Sequence, residues 1–273
     1  MRFIKTSFPF LVTMLACMVV SGSPMRSSVG HRHIAMSDGG GEVSCSAADY
    51  VQEGLVFLLD GIENSGWDEH DDEAATWKDL IGNHDAVLST AAINNGRFLW
   101  KDNGLWHIGP NSDVIMSCSL VDLIGSSTSF SISYTVSFEE VNTTLPRFSP
   151  IGNSMGAFGF YNTRNNFFVS MPWATGYGQI DVQLQDNTIE ATITCDGTHV
   201  NGYVNGVLFS SAMCGNYSSF LSRKLYMFYV PGFNPTVDNS WKCIIHRVLI
   251  YDRSINGEEE YRNYLVDRKR FGL

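Results

Sequence analysis

The densest chemistry in the chain lies at residues 69–73. Glu69, His70, Asp71, Asp72 and Glu73 run consecutively. On a strand, Glu69, Asp71 and Glu73 would share one face, because successive side chains alternate. Two such carboxyls about 5–5.5 Å apart make the nucleophile and acid of a retaining glycosidase. The same geometry sends His70 and Asp72 to the opposite face, and burying an unpaired aspartate in a packed sheet is costly. The stretch therefore reads as a solvated acidic loop, with a calcium-binding loop and a catalytic pair as the alternatives. It is not an EF-hand, since the sharp-turn glycine and the bidentate glutamate are both missing.

Sugar recognition needs exposed aromatic rings beside Asn, Asp or Gln. Two segments rich in Pro and Gly supply such residues. One carries Trp173, Tyr177 and Gln179. The other carries Phe233, Asn234, Asp238 and Trp241. Pro and Gly interrupt regular strands there, so rings can be displayed on loops. The competing reading is that Trp173 and Trp241 plug the ends of a hydrophobic core.

Other constellations are thin. The sequence holds no Gly-rich phosphate loop before a helix and no H-E-x-x-H. No CxxC or His–Cys spacing supports zinc. His31 and His33 alternate on a Ser/Gly-rich tether, a poor metal site. Asn142 and Asn216 begin glycosylation sequons.

Residues 1–21 read as an export signal. Arg2 and Lys5 precede an apolar run from Phe8 to Val20, too short for a comfortable span of about 20 residues. Cleavage is placed after Ser21 or Gly22. The rival is lipid attachment at Cys17, preceded by Met14, Leu15 and Ala16. Residues 22–44 read as a flexible linker and residues 45–273 as one folded domain. No membrane span is expected once the signal is removed, so the protein is expected to be secreted or held at the cell surface. Export permits disulfides. Cys195 and Cys214 flank a predicted hairpin and are the first choice for a bridge.

Eighteen basic and 28 acidic residues give a net charge of −10, which argues against nucleic acid, whose phosphates require a basic footprint. With 44% hydrophobic and 12% aromatic residues, the chain can bury a large core. Period-two alternation dominates. Phe130, Ile132, Tyr134, Val136 and Phe138 share one face, and Ser129 to Ser137 at odd positions share the other. That small polar face suits water or a shallow concave surface. Ile189, Ala191, Ile193 and Cys195 alternate in the same way, and Leu55 to Leu59 reads as a buried strand. Further strands are expected near 84–88, 105–109, 114–121, 156–161, 166–171, 179–184, 199–204, 207–211, 224–230 and 242–251. Asn205-Gly206 is the strongest hairpin turn. A helix is expected at the C-terminus, opened by Asn256-Gly257-Glu258-Glu259 and packed across the edge of a sandwich. Its Arg268-Lys269-Arg270 run reads as a solvated, dipole-complementing face. About a dozen strands with one helix predict an all-β, two-sheet antiparallel sandwich.

Four stretches in order resemble the laminin-G-like branch of the concanavalin A-like lectin/glucanase superfamily. They are Gly54 to Gly61, Trp77 to Ala86, Thr194 to Gly206 and Ile245 to Arg253. The resemblance covers about residues 45–273 and implies a jelly roll. Catalytic relatives keep apolar residues between their paired carboxylates, which 69–73 lacks. Some laminin-G-like domains hold one Ca²⁺ at a sandwich edge, and Asp60, Asp79 and Asp85 are the candidates here; turn-forming aspartates are the plainer reading. No other cofactor is implied. The expected function is a non-catalytic module binding carbohydrate or a glycosylated surface. The alternatives are a structural or protein-binding domain and a glycan-active hydrolase.

Overall fold

The computed structural model describes residues 45–108, 114–140, 147–153, 156–163, 166–169, 188–215, 221–229 and 242–273. The strands are β1 (Leu55–Asp60), β2 (Thr76–Trp77), β3 (Ala86–Leu88), β4 (Phe98–Lys101), β5 (Gly104–Ile108), β6 (Val114–Ser119), β7 (Phe130–Glu140) and β8 (Arg147–Asn153). They continue with β9 (Gly156–Thr163), β10 (Asn166–Val169), β11 (Thr188–Cys195), β12 (His199–Val204), β13 (Val207–Met213), β14 (Lys224–Tyr229) and β15 (Lys242–Tyr251). Three helices accompany them: α1 (Thr90–Asn94), α2 (Leu120–Ile124) and α3 (Gly257–Phe271).

Two antiparallel sheets form. One runs β13-β12-β11-β7-β15-β5-β4, with β1 also pairing β15. The other runs β10-β9-β8-β14-β6-β3-β2. Apolar side chains of both sheets meet in one cluster that includes Phe57, Trp77, Phe130, Tyr134, Ile193, Met227 and Ile245. This is the all-β sandwich with a C-terminal helix that the alternation predicts.

Register follows the period of two. Phe130, Ile132, Tyr134 and Val136 stand opposite Cys195, Ile193, Ala191 and Ile189 and face the core. Trp77 is fully buried. Its Nε1–H donates to the carbonyl of Asp60 at 2.9 Å, so the large ring is packed without stranding its polar atom. Asn205 and Gly206 both take positive φ, 49° and 76°, the combination a two-residue hairpin turn needs. Gly61 sits so close to Gly104 that an added Cβ would meet its Cα at 2.4 Å.

Several elements escaped the sequence reading. β2, β4 and β8 are too short or too irregular to alternate visibly, and α1 and α2 span five residues each. The strand expected at 179–184 lies outside the described residues.

Trp77→Ala should destabilise the domain by about 3–5 kcal/mol, combining lost burial with a cavity. Urea denaturation followed by circular dichroism measures it.

Candidate functional site

The polar face of the larger sheet is the first place to seek a ligand, and it is closed. Ser131, Ser133, Thr135, Thr192 and Thr194 are buried, as are Glu190 and Arg247. The lid is α3 with the turn at Ala47–Asp49. This corrects both expectations about the region. The Ser/Thr face is not an open surface, and the helix lies over it rather than across the sandwich edge.

The reason is the composition of the helix. Its buried stripe is Glu260, Asn263, Val266, Asp267 and Phe271, mostly polar, so it needs a polar bed. Thr135 Oγ1 donates to Asp267 Oδ2 at 2.6 Å, and Tyr50 OH donates to Asp267 Oδ1 at 2.7 Å. Arg247 Nε donates to both Asp267 oxygens, at 2.9 and 3.0 Å, and Nη2 pairs with Oδ2. Arg247 Nη1 donates to Ser133 Oγ at 2.6 Å. Asn263 accepts from Val51 N–H at 2.9 Å and donates to Tyr251 OH at 3.0 Å. Burial opposes the Arg247 charge, but Asp267, Tyr50 and Glu190 outweigh it and hold the guanidinium above its ordinary pKa.

Beneath the same helix, Glu190 accepts from Ser133 Oγ at 2.8 Å and Thr192 Oγ1 at 2.5 Å. Glu260 interacts with Glu190, yet neither of its carboxyl oxygens finds a donor. Burial, then the Glu190 charge, pushes Glu260 up to about 10 from its ordinary 4.5. Glu260 is therefore neutral at pH 7. This carboxyl pair is sealed under a helix with no route for a sugar, so it does no glycosidase chemistry in this state.

A cleft of ≈ 430 Å³ opens at the far end of α3. Cys45, Ser46, Ile62, Glu63, Asp68, His70 and Arg270 line it. Its size falls within the range of small-ligand pockets. Arg270 belongs to the basic run read as solvated, but its side chain is 3% exposed. The helix turns it inward, where Nη2 donates to Asp60 Oδ1 at 2.8 Å and Glu63 Oε1 at 3.2 Å. Nη1 donates to the carbonyl of Cys45 at 3.0 Å. Burial raises the Asp60 pKa, and Arg270 opposes that rise.

The loop from Gly61 to Ala75 forms the outer wall. Asn64 is fully buried and ties the loop to itself, donating to Asp71 O and accepting Asp71 N–H, both at 2.8 Å. Asp68 has φ 57°, a left-handed conformation that Asp tolerates better than most residues. His70 places Nδ1 3.1 Å from Ile62 O and Nε2 3.1 Å from Asp72 Oδ1. Glu69, Asp71, Asp72 and Glu73 are exposed. The acidic run is thus a loop, not a strand, and its side chains do not line up on one face.

Trp67 stands on this loop with 43% of its surface exposed. Its Nε1–H donates to Leu80 O at 2.9 Å, which fixes the orientation of an exposed ring. The sequence reading passed over Trp67. The signal was a Trp directly after Ser65-Gly66 inside an acidic loop, which is aromatic display at a turn.

The other sequence candidates are placed as follows. Asp79 Oδ1 accepts Leu58 and Ile81 N–H, both at 3.1 Å, and Oδ2 accepts His84 N–H at 3.2 Å. Asp85 binds Asp79 N–H at 3.0 Å and Lys78 Nζ at 2.7 Å. Asp79 and Asp85 thus share one turn, while Asp60 faces Arg270. Among the described residues no group of three or more His, Cys, Asp or Glu is arranged to hold a metal ion. Trp173, Tyr177, Gln179, Phe233, Asn234, Asp238 and Trp241 lie outside the described residues, as does Cys17. Among the described residues, no helix is long and apolar enough to cross a membrane.

No family model matches the chain, and no curated protein does. Solved structures do. A Trypanosoma rangeli sialidase in complex with 2,3-difluorosialic acid is similar over 82% of this chain and 36% of its own, with 13% identity and a TM-score of 0.59. The same enzyme with a difluorinated 2-keto-3-deoxy nononic acid matches over 86% and 35%, at 13% identity and TM-score 0.58. Domain 4 of AbnA, an extracellular arabinanase of Geobacillus stearothermophilus in complex with arabinotriose, matches over 77% of this chain and 98% of its own, at 18% identity and TM-score 0.51. The chain therefore spans about a third of the sialidases but nearly the whole of the arabinanase domain. At these identities the likeness defines the fold alone: a β-sandwich domain.

Two outcomes follow. Glu260 binds a proton in the folded state that the unfolded chain releases above its ordinary pKa. Stability should therefore fall as pH rises from near 4.5 towards 10. Glu260→Gln should flatten that slope, so its stability advantage over wild type grows between about pH 5 and pH 9; thermal melts across pH test this. Asp267→Ala leaves the buried Arg247 charge to Glu190, 3.5 Å away, and should cost about 3–5 kcal/mol, read by urea denaturation.

Proposed function

We propose that the chain is an exported, non-catalytic carbohydrate-binding module of the laminin-G-like type, acting at a secreted or cell-surface location. The observation that carries this is Trp67: an exposed indole with a fixed orientation, on the same loop as Asp68 and His70, which line a cleft with Glu63 and Arg270. Aromatic faces stack on sugar rings, and carboxylates accept from sugar hydroxyls. The likeness to an arabinanase domain solved with arabinotriose supports the same ligand class.

The charge balance narrows it. Arg270 is already paired with Asp60 and Glu63, and Asp68 adds a further carboxylate to the lining. Such a cleft repels an anionic sugar and accepts a neutral one through its hydroxyls. Calcium stays an optional structural ion in this proposal, although Asp60 faces Arg270 and Asp79 and Asp85 hold a turn. A lipid at Cys17 is the alternative to free secretion.

A second reading has its own observation. β13 ends the larger sheet and exposes Val207, Leu208 and Met213 at 64, 52 and 62%. An uncharged edge strand of this kind suits a protein partner.

A glycan array with and without Ca²⁺ tests the proposal. Binding to neutral glycans is expected, and Trp67→Ala should weaken it at least about tenfold. Absence of binding under both conditions sinks the carbohydrate reading and leaves the edge-strand reading.

A further inference from the structure

We infer that Cys195 and Cys214 are the two halves of a disulfide staple that closes on oxidation and clamps the edge strand β13 to the body of the larger sheet. The inference is independent of the carbohydrate reading.

The two sulfurs lie 3.4 Å apart and both cysteines are free thiols. A disulfide needs about 2.05 Å, so closure asks for about 1.4 Å of approach. The backbone on both sides is already held. Cys195 ends β11, opposite Phe130 on one side and Val200 on the other. Cys214 follows β13 directly, and its N–H donates to Thr198 O at 2.7 Å. Thr198 belongs to the turn between β11 and β12. There Asp196 Oδ1 accepts Thr198 and His199 N–H at 2.7 and 2.6 Å, and Gly197 takes φ +86°. The turn that separates the cysteines in sequence thus brings them together in space.

Access is one-sided. Cys214 is half-buried and Cys195 is buried. A small disulfide oxidant therefore meets Cys214 first. The Cys214 thiolate attacks one sulfur of the oxidant, forming a mixed disulfide and releasing one oxidant thiolate. The Cys195 thiolate then attacks the Cys214 sulfur, breaks the mixed bond and releases the second. The protein loses two hydrogens; the oxidant gains both electrons and both protons as two thiols. Burial first, then Cys195, pushes the Cys214 thiol up to about 12. Thiolate is scarce at neutral pH, so closure is slow there and quickens with pH. That is the behaviour of a structural staple set during export rather than of a rapid redox sensor.

The remaining described cysteines are internal controls. Cys118 and Cys243 are buried and Cys45 is half-buried. The closed loop holds 18 intervening residues between positions 195 and 214, long enough for a substantial entropic gain.

The test uses the full chain, reduced, then incubated with oxidised glutathione at mildly alkaline pH, alkylated and digested. A peptide linking Cys195 to Cys214 is expected, with Cys45, Cys118 and Cys243 alkylated after unfolding. The melting temperature should rise by roughly 5–10 °C and return on reduction. Cys214→Ser should abolish the link and the rise, whereas Cys45→Ser should keep both. Cys195→Ala should leave glutathione attached at Cys214, because the resolving thiol is gone. Recovery of Cys195 and Cys214 as alkylated peptides, a link to another cysteine instead, or a linked protein that melts no higher overturns the inference.

Discussion

The ion pair between Arg247 and Asp267 is the constraint on which the outer half of this structure depends. Taking both charges out of water is expensive, and their attraction compensates only when the remaining donors and acceptors are filled. Tyr50, Ser133 and Thr135 fill them. They come from two distant parts of the chain: Tyr50 from the N-terminal turn region, Ser133 and Thr135 from β7. Satisfying one pair therefore fixes where α3 lies, how it is rotated and which segment packs beside it. The apolar cluster of Tyr50, Leu58, Leu249, Tyr251 and Val266 then fills the space around the pair.

The same rotation builds the cleft. Asp267 faces down onto the sheet, so Arg270, three residues later, must face the same side of the helix. It arrives at Asp60 and Glu63, at the end of β1 and the start of the loop that carries Trp67. The cleft floor is thus set by a helix whose position is decided by a buried pair elsewhere in the fold. The capping box at Asn256 and Glu259, with Arg253 clamping Glu259, fixes where the helix begins and so where Arg270 ends up.

The core was legible in the sequence because it obeys a local rule. Phe130 to Phe138 and Ile189 to Cys195 alternate, and alternation is a property of neighbours. The outer layer was not legible, for a physical reason. Glu260, Asn263, Asp267 and Arg270 look like a solvated helix face, and polar residues face water unless a matching polar surface exists. The matching groups are Thr135, Arg247, Tyr50, Tyr251 and the Val51 N–H under the helix, with Asp60 and Glu63 at its end; Thr135 is 132 residues from Asp267. Each half looked solvent-facing alone, and only the pairing explains their burial. Trp67 was hidden differently. Its acidic neighbours drew the reading towards paired carboxylates, while its value lies in a hydrogen bond to Leu80 O that no spacing reveals.

The closed polar face also decides how far the structural likenesses extend. Sandwiches of this kind occur within a sialidase solved with a sialic acid derivative and as an arabinanase domain solved with arabinotriose. The fold alone does not choose between an acidic and a neutral sugar. Under the proposed carbohydrate reading the local charges bear on that choice. An anionic sugar needs an unpaired cation, and Arg270 gives its Nη2 to Asp60 and Glu63 and its Nη1 to Cys45 O. The lining also holds Glu63, Asp68 and His70, on a chain that is already acidic. Under that reading such a lining favours a neutral sugar over an anionic one, a preference that rests on the residue the buried helix delivers rather than on the sandwich that carries it.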